Sequence, residues 1–312
     1  MDATGDLQRR DLRMGGAWSP LQRAKNDVLY RLATAALAFA RVLPLSLLVT
    51  AGRSLGAAGH FTLRGPRATA LANVARVFPA MPEAERRALV RRVFVTMGEL
   101  LADAVALLRP VDRGGPLLEV TPAARAVIED ARREGRGVVF ASAHLGPWER
   151  VAASLAAIGV PFSAIARQSY DPRFSRLYER LRGARGVRLV WRSSARGTRD
   201  ARAVVRALRE GRVLGVPMDL RSRVASCDAP FLGHLASTPV GPARIALRTG
   251  AAVVVGTAAP GAPLVITATR IRTDDLGRDG ASAVELTARI NRELSARIEA
   301  LPHAWVWMHE RW

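Results

Sequence analysis

The stretch that decides the fold is GVVFASAHLGPWE, residues 137–149. Its first part, residues 137–142, is a mostly apolar run, which predicts a short strand buried on both faces. A tight turn follows, and Pro147 suits the first position of a helix that would carry Glu149 in its first turn. A buried strand that leads within a few residues into a helix is typical of a sheet covered by helices.

The sequence on either side continues this alternation of short apolar runs and amphipathic segments. Helical patterns of about 10–15 residues between short strands imply right-handed crossover connections. We therefore predict a three-layer α/β/α fold with a mostly parallel sheet. Besides 137–142, the predicted strands are 161–166, 187–191, 213–217, 252–257 and 263–268, and the predicted helices are 122–134, 148–158, 172–184, 198–210, 239–249 and 283–300.

The first third of the chain shows a helical pattern without strands. Residues 32–51 are apolar, but Arg41 and Pro44 interrupt the stretch and favour two helices over one membrane span. These helices either lie in a membrane interface or form a hairpin that covers the sheet. In the first case, the lipid contacts would be Leu37, Phe39, Leu45, Leu47 and Leu48. The predicted organisation is a disordered tail (1–24), an N-terminal helical membrane-associated region (25–115) and an α/β core (116–312), packed as a single domain.

The charge balance predicts an anionic partner. The chain has 47 Lys and Arg residues against 27 Asp and Glu, a formal net charge of +20. Nucleic acid, an anionic lipid surface and an acidic carrier protein would all be attracted by such a field. No helix-turn-helix, zinc or RNA-recognition motif is visible, and aromatic residues make up only 5% of the chain, which argues against nucleic acid. A non-enzymatic protein that binds nucleic acid or anionic membrane is the rival hypothesis.

Chemistry is expected where the strand at 137–142 ends, because ligands of such sheets bind beyond the carboxyl ends of the strands. His144 lies on this turn, and Glu149 follows it by five residues. Glu149 would accept a hydrogen bond from one ring nitrogen, so that the other nitrogen acts as a base on a hydroxyl that attacks a thioester. The five histidines show neither HExxH nor Cys/His spacing, so no metal site is predicted.

The motif HLGPWE, residues 144–149, resembles the HxGNWE signature of the bacterial lipid A biosynthesis acyltransferases, an HxxxxE-type family. Pro147 departs from the signature's Asn, and Leu220 from a frequent Gln. The resemblance covers the chain from about residue 25 onward. Further blocks that resemble the family are Arg167 with Asp171-Pro172, Arg182, the strand ending in Asp219, Phe231-Leu232-Gly233, residues 238–251 (TPxGPAxLAxxTGA) and residues 305–312 (WxWxHRRW).

This resemblance implies a fold similar to that of glycerol-3-phosphate acyltransferases and an O-acyltransferase activity. The implied donor is an acyl carrier protein thioester, and the implied acceptor is a lipid A precursor. No further cofactor is implied, because the donor carries phosphopantetheine. The implied location is the cytosolic face of the inner membrane, held peripherally or monotopically. Phosphoinositide mannosides, lysophospholipids or other glycolipids are alternative acceptors for the same chemistry.

The resemblance also implies roles for single residues. His144 would be the general base and Glu149 its orienting partner, with Gly146 and Trp148 of the same motif lining the site. Arg182 and Asp219 would form a charged pair beside them.

Three further interpretations each have a structural alternative. Arg167 or Arg182 would bind a phosphate, or else form a salt bridge. Thr238 would open a helix whose N–H groups bind an anion or oxyanion, or else simply cap that helix. Trp305, Trp307 and Trp312 are interpreted as a packing clamp.

Overall fold

The computed structural model describes residues 17–110, 113–192, 198–222 and 224–312. An opening group of four helices is followed by helices and strands that mostly alternate. These four are α1 (Pro20–Val42), α2 (Leu45–Thr62), α3 (Arg64–Val77) and α4 (Glu83–Ala106). The elements that follow are β1 (Glu119–Val120), α5 (Pro122–Arg133), β2 (Val138–Ser142), α6 (Trp148–Ala157), β3 (Phe162–Arg167), α7 (Pro172–Gly183), β4 (Arg188–Arg192), α8 (Thr198–Arg209), β5 (Val213–Pro217), β6 (Ser226–Phe231), β7 (His234–Pro239), α9 (Gly241–Thr249), β8 (Ala252–Ala259), β9 (Val265–Ile271) and α10 (Gly280–Ala300).

The main sheet has seven strands in the order β1-β9-β8-β2-β5-β3-β4. Only the β8–β9 pair is antiparallel, so the prediction of an α/β fold with a mostly parallel sheet is confirmed. β2 lies in the centre, where side chains alternate between the two faces of the sheet. Val139 and Ala141 join one hydrophobic core, and Val138 and Phe140 join the other. Helices cover both faces, which gives three layers.

A β-hairpin formed by β6 and β7 was not predicted. Its strands pair from Ser226–Pro239 to Phe231–His234 and enclose a two-residue turn at Leu232 and Gly233. Both turn residues have positive φ, 48° and 78°, as a tight hairpin turn requires. From the sequence, Phe231-Leu232-Gly233 was singled out only as a family block, because Leu232-Gly233 does not match the usual Asn-Gly signal of such a turn.

The first helix begins earlier than the predicted start at residue 25. Ser19 accepts a hydrogen bond from the backbone of Gln22, whose side chain bonds back to Ser19, and Pro20 occupies the first turn. This capping box sets the helix start at Pro20. α1 then lies against α7, where Arg173 pairs with Asp27 at 2.6 Å.

α2 packs on α4 rather than on the sheet. Gly52 and Gly56 face Gly98 so closely that a Cβ on any of them would meet backbone atoms of the other helix. Leu48 is buried and clusters with Ala102 of α4, so it cannot contact lipid as predicted. Leu45, only partly buried, packs against the same cluster, whereas Phe39 and Leu47 are exposed. Among the helices of the described ranges, none combines the length and apolarity needed to cross a bilayer.

Candidate active site

The pairing of β2 with β5 places two polar residues side by side. Ser142 is opposite Pro217 in the parallel register, and the N–H of Met218 donates to the Ser142 carbonyl at 2.9 Å. His144 and Asp219 each stand two residues beyond that pair, one on each chain. Both therefore emerge at the carboxyl edge of the sheet, where parallel strands expose their loops to ligands.

Asp219 is fully buried and holds His144 by two hydrogen bonds. Its Oδ1 lies 3.0 Å from His144 Nδ1, and its Oδ2 accepts from the backbone N–H of His144 at 2.9 Å. The His144 side chain keeps 29% of its surface exposed. Because Nδ1 faces the carboxylate, Nε2 is the ring nitrogen that can exchange a proton with a substrate.

A third donor reaches the same carboxylate from the far end of the sequence. The indole N–H of Trp305 donates to Asp219 Oδ2 at 2.8 Å. The same segment also holds the His144 loop, since the N–H of Gly146 donates to the Ala304 carbonyl at 2.9 Å and Leu145 forms a β-bridge with Trp305. Gly146 has φ 61°, a conformation that favours glycine.

Glu149 is engaged by a different partner. It lies in the first turn of α6 and accepts two hydrogen bonds from Arg182 of α7, from Nε at 2.9 Å and from Nη2 at 2.7 Å. This bidentate geometry is the strong form of an arginine–carboxylate pair. Arg182 Nη1 is buried and has no hydrogen-bond partner among the described residues.

The pairing predicted from the sequence is therefore wrong. Glu149 was expected to orient His144, and Arg182 was expected to pair with Asp219. The structure shows the opposite arrangement, with Asp219 on His144 and Arg182 on Glu149. The reason is topological: hydrogen bonding between neighbouring strands brings Asp219 to the imidazole, and proximity along the chain does not.

The electrostatics of the pair favour a protonatable histidine beside an ionised aspartate. Burial lowers the pKa of His144, but the Asp219 carboxylate and its hydrogen bond, with Glu149 nearby, outweigh burial and raise the pKa above 6.5. Burial likewise disfavours the charged form of Asp219, yet His144 and the hydrogen bonds from His144 and Trp305 hold its pKa below 3.8. The carboxylate thus stabilises an imidazolium as it forms.

An apolar crevice adjoins these side chains. It encloses a cavity of about 50 Å³ and opens toward solvent. Glu149 and Arg182 are its charged lining residues, and Trp148 packs edge-on against the His144 ring with centroids 5.2 Å apart. Its apolar walls come from β2, the loop after β2, α6 and β3, and include Phe140, Leu145, Val151, Phe162 and Ala164.

The remaining predicted site residues have different surroundings. Arg167, at the end of β3, is exposed and contacts Tyr170 through a hydrogen bond of 3.1 Å and through the ring face. Thr238 does not open a helix as predicted, because β7 continues to Pro239 and α9 begins at Gly241. Its buried hydroxyl accepts from Asn291 and Arg311 and donates to the Ala236 carbonyl, so it is taken up by structural contacts.

Two residues that support the site, Trp305 and Arg150, were not identified as such from the sequence. Trp305 was interpreted only as packing, and although it is fully buried it also hydrogen bonds to Asp219. Arg150, next to Glu149, was not noted. It is buried, pairs with Asp103 of α4 at 2.6 Å and bonds to the carbonyls of residues 114–116, which ties α6 to the helical region. An arginine directly beside a motif glutamate was the available signal.

Comparison with known proteins identifies the family of the chain. Residues 19–312 match the family described as bacterial lipid A biosynthesis acyltransferase. No curated protein matches the chain. Within the described ranges, no cluster of three or more His, Cys, Asp or Glu residues could hold a metal ion. The match covers the sheet, the His144 loop and the segment that carries Trp305, and it confirms the resemblance inferred from the motifs. The chain therefore belongs to the bacterial lipid A biosynthesis acyltransferase family, and its activity is that of an acyltransferase.

Proposed function

We propose that this protein transfers a fatty acyl group from the thioester of an acyl carrier protein to a hydroxyl group of a lipid A precursor, with His144 as the general base. The observation that supports this most directly is the contact between His144 Nδ1 and the buried Asp219 carboxylate, which directs Nε2 away from Asp219. A histidine held in this tautomer is the base that thioester alcoholysis requires.

The reaction needs one proton transfer in each direction. Nε2 takes the proton of the acceptor hydroxyl while its oxygen forms a bond to the thioester carbonyl carbon. The tetrahedral intermediate then expels the thiolate, the C–S bond breaks, and the imidazolium returns the proton to sulfur. Arg182 Nη1, a buried donor without a partner in the described chain, is suited to stabilise the oxyanion. Glu149 would hold that guanidinium in place through its bidentate contact.

The charge of the chain supports the choice of donor. A formal net charge of +20 attracts an acidic carrier protein and anionic phosphate groups on the acceptor alike. Arg167 lies exposed at the carboxyl end of β3, the same edge as His144, and would be available to a phosphate. The acceptor itself is chosen from the family match, and glycolipids or lysophospholipids with a free hydroxyl are the alternatives.

The test is an acyl transfer assay with purified protein, acyl carrier protein charged with chains of different length, and a panel of lipid acceptors. Mass spectrometry of the lipids should show one added acyl group on the lipid A precursor. Transfer from coenzyme A thioesters at an equal rate would contradict the donor assignment. Transfer only to a phosphoinositide mannoside or lysophospholipid would contradict the acceptor assignment but would agree with the proposed acyl transfer reaction.

The crevice is the proposed site for the acyl chain, and Gly215 controls its width. A Cβ on Gly215 would lie 2.5 Å from the Phe162 ring, which lines the crevice. In Gly215→Ala the ring must therefore move, and we expect it to move into the crevice, which Phe162 and Gly215 both line. We expect the variant to prefer shorter acyl chains by about tenfold in a competition between thioesters, which corresponds to lost room for about two methylenes at about 0.8 kcal/mol each.

The matched control for this substitution is Gly65→Ala, where a Cβ would meet no atom within 4 Å. This variant should keep the wild-type chain-length preference. An unchanged preference in Gly215→Ala, at a melting temperature close to that of the wild type, would contradict the assignment of the crevice to the acyl chain.

The helical region is the proposed contact with a membrane. α1 presents a row of exposed apolar side chains, among them Leu29, Leu32 and Phe39, which is 64% exposed. α1 also lies against α7 through the Arg173–Asp27 pair, and α7 follows β3 at the active-site edge of the sheet. Because the chain is strongly basic, an anionic lipid surface is the occupant that fits this face.

Replacing Leu32 and Phe39 together with serine is expected to weaken binding to anionic vesicles by about tenfold or more, because two large apolar contacts with lipid are lost. Flotation with vesicles that contain phosphatidylglycerol would measure this. Leu235→Ser serves as the control, since Leu235 is 71% exposed but lies on the β6–β7 hairpin. Equal effects of both changes would contradict a specific lipid face on α1.

A further inference from the structure

Asp219 Oδ2 receives two N–H donors, and only one of them belongs to the His144 loop. The backbone N–H of His144 donates at 2.9 Å and the indole N–H of Trp305 at 2.8 Å, so Oδ1 remains for His144 Nδ1 at 3.0 Å. A carboxylate whose second oxygen already accepts two donors cannot rotate without losing both hydrogen bonds. The position of Oδ1 relative to the imidazole is therefore decided partly by Trp305.

Trp305 is itself held firmly. It is fully buried, packs edge-on against Trp307 with centroids 4.8 Å apart, and pairs with Leu145 in a β-bridge. Its ring also lies 5.6 Å from the Phe231 ring, which is itself covered by the guanidinium of the buried Arg311. These contacts place the indole nitrogen with little freedom, which is what a group that positions another side chain requires.

We infer that Trp305 is a positioning residue for acyl transfer, which acts by orienting Asp219 and moderating how strongly its carboxylate attracts the proton on His144. This inference rests on the proposed role of His144 as base. It assigns to the indole N–H of a residue that forms a β-bridge with Leu145 a task that packing alone would not give it.

The direction of the effect on pH dependence follows from the hydrogen bond. Without the indole donor, the negative charge on Asp219 is less stabilised, so the imidazolium beside it is favoured and the pKa of His144 rises. The base is then neutral only at higher pH. Within the described ranges, the other charged groups that face this pair are Glu149 on α6, Arg182 on α7 and Arg311, and the substitution leaves all three in place.

The test compares Trp305→Phe with Trp307→Phe. Trp307 is equally buried and also donates its indole N–H, to the Pro302 carbonyl at 2.6 Å, but it does not contact Asp219. We expect Trp305→Phe to lower kcat by about ten- to a hundredfold, the effect of losing one charge-assisted hydrogen bond, with KM little changed. The acid limb of its kcat/KM profile should move to higher pH, and that of Trp307→Phe should stay.

A second variant avoids the cavity that phenylalanine leaves. Benzothienylalanine at position 305 keeps the shape of tryptophan and replaces the N–H with sulfur, so a loss of kcat with an unchanged melting temperature isolates the hydrogen bond. Wild-type kcat in this variant, or an acid limb that stays or moves to lower pH, would overturn the inference. If His144→Ala is fully active in the same assay, the proposed function itself fails instead.

Discussion

Replacing His144 with alanine is expected to lower the rate of acyl transfer by about ten-thousand-fold, the upper end of what a general base contributes. The described site offers no second group that could take over, because Glu149 is committed to Arg182 and Asp219 is fully buried. The residual activity should also lose its acid limb, since the group that titrates has been removed. Initial rates with a carrier protein thioester across pH 5–9 would measure both effects.

The fold should survive this change. Two of the three donors to Asp219, the backbone N–H of residue 144 and the Trp305 indole, remain after the imidazole is removed. His234→Ala is the matched control, because His234 also makes a ring hydrogen bond, to the Arg76 carbonyl, but lies on the β6–β7 hairpin. Near wild-type turnover in His144→Ala would rule out the proposed mechanism.

Replacing Asp219 with asparagine is expected to lower kcat by about a thousandfold, through the tautomer of His144. Two N–H donors converge on the Oδ2 position, so the amide oxygen of asparagine must sit there. Its NH₂ group then faces His144 Nδ1, which has to accept a hydrogen bond. The ring proton is driven to Nε2, and the nitrogen that should accept the substrate proton is already protonated.

Measuring kcat, KM and the melting temperature of Asp219→Asn checks this argument. Asp103→Asn provides a comparison, because it converts a carboxylate that is 23% exposed and pairs with Arg150 instead of His144. We expect that variant to lose stability while each folded molecule stays active. A kcat of Asp219→Asn within a few fold of the wild type would show that Asp219 does not orient the base.

Much of the fold was accessible from the sequence because its signals are local. The apolar run at 137–142 and the similar runs at 213–217 and 252–257 predicted strands that the structure contains as β2, β5 and β8. The β6–β7 hairpin was missed because Leu232 adopts a positive φ, which a leucine in the sequence does not predict. Thr238 was misplaced for a different reason, since a Thr-Pro pair before a helical pattern can also end a strand.

The residues of the candidate site could be predicted from the sequence, but their contacts could not. His144, Glu149 and Asp219 were selected from motifs and Arg182 from its spacing within the family resemblance, and the structure brings all four to one edge of the sheet. Their pairing was predicted wrongly, because each observed contact joins residues that are distant in the sequence. The Glu149–Arg182 contact joins α6 to α7. The hydrogen bond from Trp305 to Asp219 joins the C-terminal segment to the loop that follows β5.

The sequence by itself determined that this chain forms an α/β sheet with a histidine loop after a buried strand, because strand and helix periodicity and turn residues act over a few positions. Only the tertiary structure decided which carboxylate meets the imidazole. β2 hydrogen bonds to β5 although about 70 residues separate them, and the parallel register carries Asp219, not the nearby Glu149, to His144.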